Sequence, residues 1–177
     1  YARRFDRSGN PLSDEFRVNT TTSSQEWLSQ VALNDAGHFA IVWHSASTDG
    51  DGDGVYARVY DASGTAISGE IAVNTHTSGH QSHAAIAIDA NGRFSIAWMS
   101  QNQDGDDSGI YFRHFDGEGD ALSDEILANT TTAGAQTYPA IAFNALGTKL
   151  GISWASADQD GDGFGIFARL FYLNLAQ

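Results

Sequence analysis

The chain is organised by a segment that occurs three times and reads each time as a strand ending in Trp, an acidic glycine-rich turn and a second strand. The copies begin at Trp43, Trp98 and Trp154, which are 55 and 56 residues apart. A fixed period of this length indicates a repeat architecture, in which each unit packs on its neighbours. We therefore divide the chain into a single module with repeats 1–55, 56–110 and 111–166 and a partial repeat 167–177.

The repeats consist of strand-like runs separated by turn residues, and no run has a helical period. Thirteen such runs can be read along the chain, four in each repeat and one more at residues 166–171. Four short antiparallel strands in about 55 residues are typical of one blade of a β-propeller. The sequence therefore predicts an all-β fold with β-propeller-like repeats, about three four-stranded antiparallel blades. An open stacked β array is the alternative.

The charge of the chain limits its partners. The formal net charge is −13 and the sequence contains no cysteine. An acidic surface is unsuited to nucleic acid and to anionic membranes, and no apolar run is long enough to cross a membrane. We expect neither nucleic-acid binding nor membrane insertion. Crowded carboxylates favour a bound cation instead, and without cysteine no thiolate metal site can form.

The acidic turns are the strongest candidate metal sites. In the first turn, carboxylates alternate with glycines ahead of Gly54, a pattern that can direct oxygen ligands onto Ca²⁺. The other two turns repeat it with a changed third position. We therefore predict calcium as the cofactor; good hairpin-turn chemistry is the alternative explanation of the Asp-Gly pairs. The predicted metal ligands are Asp49, Asp51, Asp53, Asp104, Asp106, Ser108, Asp158, Asp160 and Asp162.

Aromatic residues recur beside each acidic turn and could bind a sugar ring. They are Trp43, Trp98, Trp154, Tyr56 and Tyr111. A core between neighbouring blades is the favoured explanation, because a Trp at the end of a half-buried strand buries a large apolar area. Arginines and glutamates also recur, at Arg58 and Arg113 and at Glu70 and Glu125, and could pair across the sheet.

The residues 1–22, YARRFDRSGNPLSDEFRVNTTT, together with 39–61, FAIVWHSASTDGDGDGVYARVYD, resemble a repeat of large secreted bacterial surface proteins. Those proteins often also carry hemolysin-type calcium-binding or cadherin-like modules. Gln81, Gln136 and Pro139 fit the pattern of this family, whereas Glu26 and Ser29 depart from it in the first copy. The resemblance implies a calcium-associated extracellular surface or adhesion module and no catalytic residues.

The resulting expectation is a secreted or cell-surface calcium-binding module with a binding or adhesive role, possible carbohydrate recognition and no catalysis. One alternative is a structural subunit that self-assembles into a ring or fibre. A second is a fragment of a propeller glycosidase or sialidase-like enzyme, which would need acids that depart from the repeat. Because three blades are too few to close a ring, we expect the chain to associate with a second copy or with neighbouring repeats of a longer chain.

Overall fold

The computed structural model describes residues 1–46 and 48–173, and these residues form eleven strands in three antiparallel sheets. The first sheet consists of β1 (Glu26–Leu33), β2 (Phe39–Ala46), β3 (Asp53–Tyr60) and β4 (Ile71–Ala72). The second consists of β5 (Gln81–Ile88), β6 (Phe94–Gln101), β7 (Ser108–Phe115) and β8 (Ile126–Leu127). The third contains, within the described range, β9 (Gln136–Phe143), β10 (Lys149–Ala157) and β11 (Phe164–Tyr172). The prediction of an all-β, propeller-like fold is confirmed.

The strands follow one another in space in the order in which they occur in the chain. In the first sheet β1 is innermost and β4 outermost, and the innermost strand of the second sheet, β5, packs against both β1 and β9. The three sheets therefore fan out like adjacent blades, and we number them blades 1 to 3. The described residues form no helix long and apolar enough to span a membrane.

The outermost strands are shorter than the sequence pattern predicts. β4 spans only two residues, because the Asn74 side chain takes over the next ladder position: its Oδ1 accepts a hydrogen bond from the Val55 N–H at 2.7 Å. The two predicted runs at the N terminus, residues 1–5 and 15–19, pair through the isolated bridge Ala2–Phe16, and Phe5 forms a second bridge with Pro11 in the segment between them. They form a hairpin that covers part of blade 1, and we call residues 1–19 the N-terminal hairpin.

Each innermost strand carries a bulge near its start. Leu28, His83 and Tyr138 occupy equivalent positions in the repeat, and all three have positive φ values of 51° to 53°. The register with the next strand shifts at the same place in all three sheets. A left-handed conformation is unfavourable for such side chains, so the packing of the inner strands must impose it.

The core lies between the blades. Val42, Val55, Val59 and Val73 of blade 1 pack against a face of blade 2 that includes Trp98. Blade 3 repeats this arrangement, because Leu150, Ile152 and Trp154 cover Ala97, Ile110, Phe112 and Ala128 of blade 2. Burial of these apolar faces is the main stabilising contribution to the fold.

Two imidazoles are buried in these interfaces. His44 is fully buried, and its Nε2 accepts a hydrogen bond from the Ala84 N–H at 3.0 Å. His114 is 5% exposed, and its Nδ1 lies 2.6 Å from the Ser95 hydroxyl. Burial lowers the pKa of each imidazole from 6.5 to about 4, so both are neutral at pH 7.

Candidate functional site

The first two acidic turns are hydrogen-bonded to the loop that precedes the next blade. Asp49 Oδ2 accepts a hydrogen bond from Asn74 Nδ2 at 2.9 Å, and Asp51 Oδ2 accepts one from the Gly79 N–H at 3.1 Å. The second turn repeats both bonds, with Asp104 to Asn129 at 3.0 Å and Asp106 to the Gly134 N–H at 3.0 Å. These carboxylates therefore hold the blades together, which is a structural use of the predicted metal ligands.

The third position of the turns is occupied differently in each copy. Asp53 lies 3.1 Å from His80 Nδ1, whereas the equivalent Ser108 is buried and donates to the Gln136 carbonyl at 3.2 Å. In the third turn, Asp158 Oδ1 accepts from the Gly163 N–H at 3.0 Å, and Asp160 and Asp162 are exposed. Residues 1–46 and 48–173 contain no group of three or more His, Cys, Asp or Glu side chains that could hold a metal ion. Calcium binding stays a prediction.

The glycine that closes each turn is required by the first carboxylate. A Cβ on Gly54 would lie 2.8 Å from Asp49 Oδ2, and a Cβ on Gly109 or Gly165 would overlap Asp104 or Asp160. The turns thus fold their first carboxylate inward onto the strand that follows. Asp49 Oδ1 and Asp104 Oδ1 are buried there, and neither has a hydrogen-bond partner among the described residues.

All three tryptophans are buried: Trp98 and Trp154 lie between neighbouring blades, and Trp43 lies between blade 1 and the N-terminal hairpin. Trp43, Trp98 and Trp154 are 4%, 0% and 6% exposed, so their positions agree with a role in the core. Tyr111 is also buried, whereas Tyr56 is half-buried and its ring lies 6.4 Å from that of Trp43. Of the aromatic pairs beside the acidic turns, the one on blade 1 borders an open space.

This space is a polar cleft of about 430 Å³, which we call the blade-1 cleft. Its walls combine two carboxylates, four hydroxyl groups and the aromatic pair. Such a mixture of ring faces and hydrogen-bonding groups suits a polar ligand with an apolar face, as a sugar has. The lining residues are Thr21, Ser23, Glu26, Trp43, Ser45, Thr48, Tyr56 and Glu70.

Glu26 is the lining residue that departs most from the repeat. The equivalent residues, Gln81 and Gln136, are fully buried and hydrogen-bonded on both sides of their amides, for example to Asn74 at 3.2 Å. Glu26 Oε1 accepts hydrogen bonds from the hydroxyls of Ser24 at 2.8 Å and Ser45 at 3.0 Å. Its Oε2 is buried, with no hydrogen-bond partner in the described part of the chain. A carboxylate with unused acceptor capacity therefore stands at the wall of the cleft.

Thr48 explains why the space is open in blade 1. The equivalent residue of blade 2 is Gln103, whose Nε2 reaches Glu125 Oε2 at 2.7 Å. Threonine is too short to make this contact with Glu70, the equivalent of Glu125. One shortened side chain thus leaves room beside the Trp43–Tyr56 pair.

Glu70 itself is held firmly. Its carboxylate accepts hydrogen bonds from the Thr20 N–H, from the Thr21 N–H at 3.1 Å and from the Thr21 hydroxyl at 2.8 Å. Burial raises the pKa of Glu70, but the hydrogen bonds from Thr20 and Thr21 outweigh it and the net pKa lies below the ordinary value. Glu70 is therefore ionised at neutral pH.

The sequence interpretation missed this cleft, although its signal was present. Glu26 stands where the other repeats have Gln, and Thr48 stands where they have Gln103 and Gln159. Departures from a repeat mark positions that the shared architecture does not explain. The predicted pairing of the recurring Arg and Glu residues is wrong, because Arg58 donates to the carbonyls of Ser68 and Val18 while Glu70 binds Thr20 and Thr21.

Comparison with known proteins supports the fold. Neither a protein-family model nor a curated protein sequence matches the chain. A solved structure of a protein of unknown function from Dyadobacter fermentans DSM 18053 matches with a TM-score of 0.63 at 14% identity, over 88% of this chain and 41% of that protein. An endo-arabinase from Bacteroides thetaiotaomicron VPI-5482 matches with a TM-score of 0.56 at 12% identity, over 96% and 64% of the two chains.

An α-L-arabinofuranosidase from Lactobacillus brevis also matches, with a TM-score of 0.53 at 11% identity, over 97% of this chain and 66% of that enzyme. The chain thus spans less than two thirds of the length of each of these structures. At such identities the likeness shows a propeller-like fold shared with glycoside hydrolases. The resemblance to repeats of secreted surface proteins stays a prediction.

These comparisons correct the expectation of a non-catalytic protein. That expectation depended on the resemblance and on acids that mostly follow the repeat. Two of the matching structures are enzymes that carry this fold, so the fold gives no support for an absence of catalysis. Glu26 is, moreover, an acid that does not follow the repeat.

Proposed function

We propose that this chain is part of a carbohydrate-active β-propeller protein and that the blade-1 cleft binds a sugar unit of its substrate. The observation that carries the proposal is the blade-1 cleft itself, where Glu26 and Thr48 open a polar, aromatic-walled space in the position that Gln103 occupies in blade 2. The fold likeness to an endo-arabinase and an arabinofuranosidase supports a glycoside as the substrate class.

The chemistry of the lining residues suits sugar hydroxyls. Glu26 Oε2 and the hydroxyls of Ser45 and Thr48 offer hydrogen-bonding groups, and the ring of Tyr56 offers an apolar surface. A sugar that donates to the carboxylate would supply the hydrogen bond that Glu26 Oε2 lacks in the described part of the chain. A buried acceptor that gains a donor is stabilised by about 1–3 kcal/mol.

The reaction class we propose is hydrolysis of a glycosidic bond. In this reaction water adds OH to the anomeric carbon and a proton to the departing oxygen, and most such enzymes use a pair of carboxyl groups. Glu26 and Glu70 both line the cleft. The ionised Glu70 would stabilise positive charge at the anomeric carbon, and Glu26 would exchange the proton.

The test uses the chain with neutral arabino-oligosaccharides and other neutral oligosaccharides, measuring binding by calorimetry and bond cleavage by reducing-end release. Glu26→Gln, which introduces the residue of the other repeats, should abolish cleavage. Thr48→Gln should fill the cleft and lower affinity by about ten-fold or more, a loss of roughly 1.4 kcal/mol.

Glu118→Gln is the matched control, because Glu118 is an exposed glutamate outside the cleft. It should leave both readouts unchanged. Binding that Thr48→Gln does not weaken would contradict the assignment of the cleft. Binding without cleavage by the unaltered chain would retain the sugar site and remove the hydrolytic role.

A further inference from the structure

The packing between neighbouring blades occurs twice within the chain and has two distinct faces. We call the face that includes Trp98 in blade 2 and Trp154 in blade 3 the front face of a blade. The opposite face, which includes Val55 and Val59 in blade 1, is its back face. Within the chain, the front face of blade 2 covers the back face of blade 1, and the front face of blade 3 covers the back face of blade 2.

Among residues 1–46 and 48–173, one face of each kind is not covered by another blade. On the front face of blade 1, Val31 and Leu33 are 58% and 68% exposed, although the equivalent Ile86 of blade 2 is only 8% exposed. They line a groove of about 640 Å³ between β1 and the N-terminal hairpin. On the back face of blade 3, Ile166 and Leu170 are 79% and 66% exposed. Their equivalents in blade 1, Val55 and Val59, are buried. The two open faces are thus the two halves of an interface that the chain already forms.

We propose that a second copy of this chain covers both faces, head to tail, so that the back face of blade 3 in each copy packs on the front face of blade 1 in the other. The two-fold arrangement makes a ring of six blades and leaves neither apolar face open. A continuation of the internal interface explains why Val31, Leu33, Ile166 and Leu170 are exposed at positions that are buried or half-buried in blades that have a neighbour.

The N-terminal hairpin supplies the pairing that completes blade 3. The Ala2–Phe16 bridge is equivalent to the pairs Ala57–Ile71 in blade 1 and Phe112–Ile126 in blade 2. The corresponding residue of β11 is Ala168, which has no outer partner strand in the described residues. In the dimer, Phe16 of the second copy pairs with Ala168. Residues 1–5, which are held by isolated bridges and by the hydrogen bonds of Arg4 to the Ala62 and Ser63 carbonyls, move aside.

A polar contact fits the same arrangement. The Asp49–Asn74 and Asp104–Asn129 hydrogen bonds, at 2.9 and 3.0 Å, join each of these acidic turns to the asparagine that follows the outermost strand of its blade. Asp160 is the next acid in this series and is exposed. Asn19 is the preceding amide in the series, and its Nδ2 donates to the Thr21 carbonyl at 2.7 Å. Head-to-tail packing brings Asp160 of one copy to Asn19 of the other.

The experiment measures the mass of the chain by sedimentation from micromolar to millimolar concentration. We expect the mass to double with concentration. Val31→Glu and Leu170→Glu should each raise the dissociation constant at least ten-fold without changing the circular dichroism, because both side chains are exposed in the monomer. Ile67→Glu is the control, since Ile67 is 42% exposed and lies on neither face. Removal of residues 1–5 should strengthen association.

Mixing the two variants tests the geometry. The Val31→Glu chain keeps an intact blade-3 face and the Leu170→Glu chain keeps an intact blade-1 face, so the mixture should form a heterodimer through one sound interface. A wild-type chain that stays monomeric at millimolar concentration overturns the proposal. So does a dimer that the two glutamates do not weaken, or a mixture that associates no better than either variant alone.

Discussion

Blade 1 and blade 2 share their architecture but differ in how they fill the space beside the Trp–Tyr pair. In blade 2, Gln103 binds Glu125 at 2.7 Å and Trp98 is fully buried. In blade 1, Thr48 and Glu26 replace two glutamines, and a cleft of about 430 Å³ opens against Trp43 and Tyr56. The backbone of the repeat therefore tolerates either a filled or an open space beside this pair, and the side chains at two positions determine which of the two forms.

The two interfaces between neighbouring blades also differ at one hydrogen bond, but there the donor and the acceptor change together. His44 Nε2 accepts the Ala84 N–H in the interface between blades 1 and 2. In the next interface, Met99 replaces the acceptor and Pro139, which has no N–H, replaces the donor. Donor and acceptor are lost together, so the replacement leaves neither member of this pair without its partner. At the blade-1 cleft no such compensation exists, and this contrast is what makes the cleft a candidate site.

The largest expected effect comes from removing the equivalent tryptophans. Trp98→Ala leaves an enclosed apolar cavity and should lower the free energy of unfolding by about 3–5 kcal/mol. Trp43→Ala should cost roughly half as much, because the vacated volume joins the blade-1 cleft and can admit water. Denaturant unfolding of the two variants measures the difference. Equal losses would show that the cleft is closed in solution.

The next effect is a pH dependence from the two buried imidazoles. The folded-state pKa of His44 and of His114 is about 4, below the ordinary 6.5, so between these values the unfolded chain binds more protons. Stability should therefore be complete above pH 6.5 and be lost as the pH falls towards 4, by at most about 3 kcal/mol per histidine. Urea unfolding at pH 7 and pH 5 measures this loss.

Substitution by the residues of a neighbouring repeat provides the control. His44→Met combined with Ala84→Pro copies the interface between blades 2 and 3, and His114→Val copies Val59 of blade 1. The triple variant should lose most of the pH dependence between 7 and 5. A slope that persists in this variant would assign the effect to other groups.

A smaller difference is expected between two equivalent asparagines. Asn74 binds Val55, Asp49, His76 and Gln81, whereas the Asn19 side chain donates to the Thr21 carbonyl. Asn74→Ala leaves buried groups without partners and should cost about 1–3 kcal/mol, against about 0.5–1 kcal/mol for Asn19→Ala. Thermal unfolding distinguishes them, and a larger loss for Asn19→Ala would contradict the network.

The fold could be predicted from the sequence because the same local patterns occur in every repeat, so each copy supports the interpretation of the others. The pairing of Trp with Tyr or Phe, the turns and the alternation of large and small residues follow from local patterns that occur three times. The cleft was not predicted because it results from a side-chain contact that blade 2 makes and blade 1 lacks. Only the three-dimensional neighbourhood shows that Thr48 falls short of Glu70, or that Glu26 Oε2 has no donor among the described residues. The roles of Asp49 and Asp51 were likewise hidden, since their partners lie 25 and 28 residues further along the chain.

The smallest expected effect is calcium binding, where the acidic turns can be compared with each other. The first turn offers Asp at all three alternate positions, whereas the second has the buried Ser108 at the third. A cation that binds only the folded turns stabilises by mass action, by about 1.4 kcal/mol at ten times its dissociation constant. We expect millimolar Ca²⁺ to raise the melting temperature relative to chelator, with Mg²⁺ less effective because it requires strict octahedral sites.

Two variants separate cation binding from hydrogen bonding in the first turn. Asp51→Asn keeps an oxygen that can accept the Gly79 N–H but loses the charge, so it should blunt the calcium response with little change in chelator. Asp53→Ser makes the first turn resemble the second. Because three carboxylates should bind the ion more strongly than two, this variant should reduce the calcium response more than Asp162→Asn does. Identical melting curves in chelator and in calcium would contradict calcium binding. The carboxylates would then have only a structural role, through the hydrogen bonds that Asp49 and Asp51 accept from the loop before the next blade.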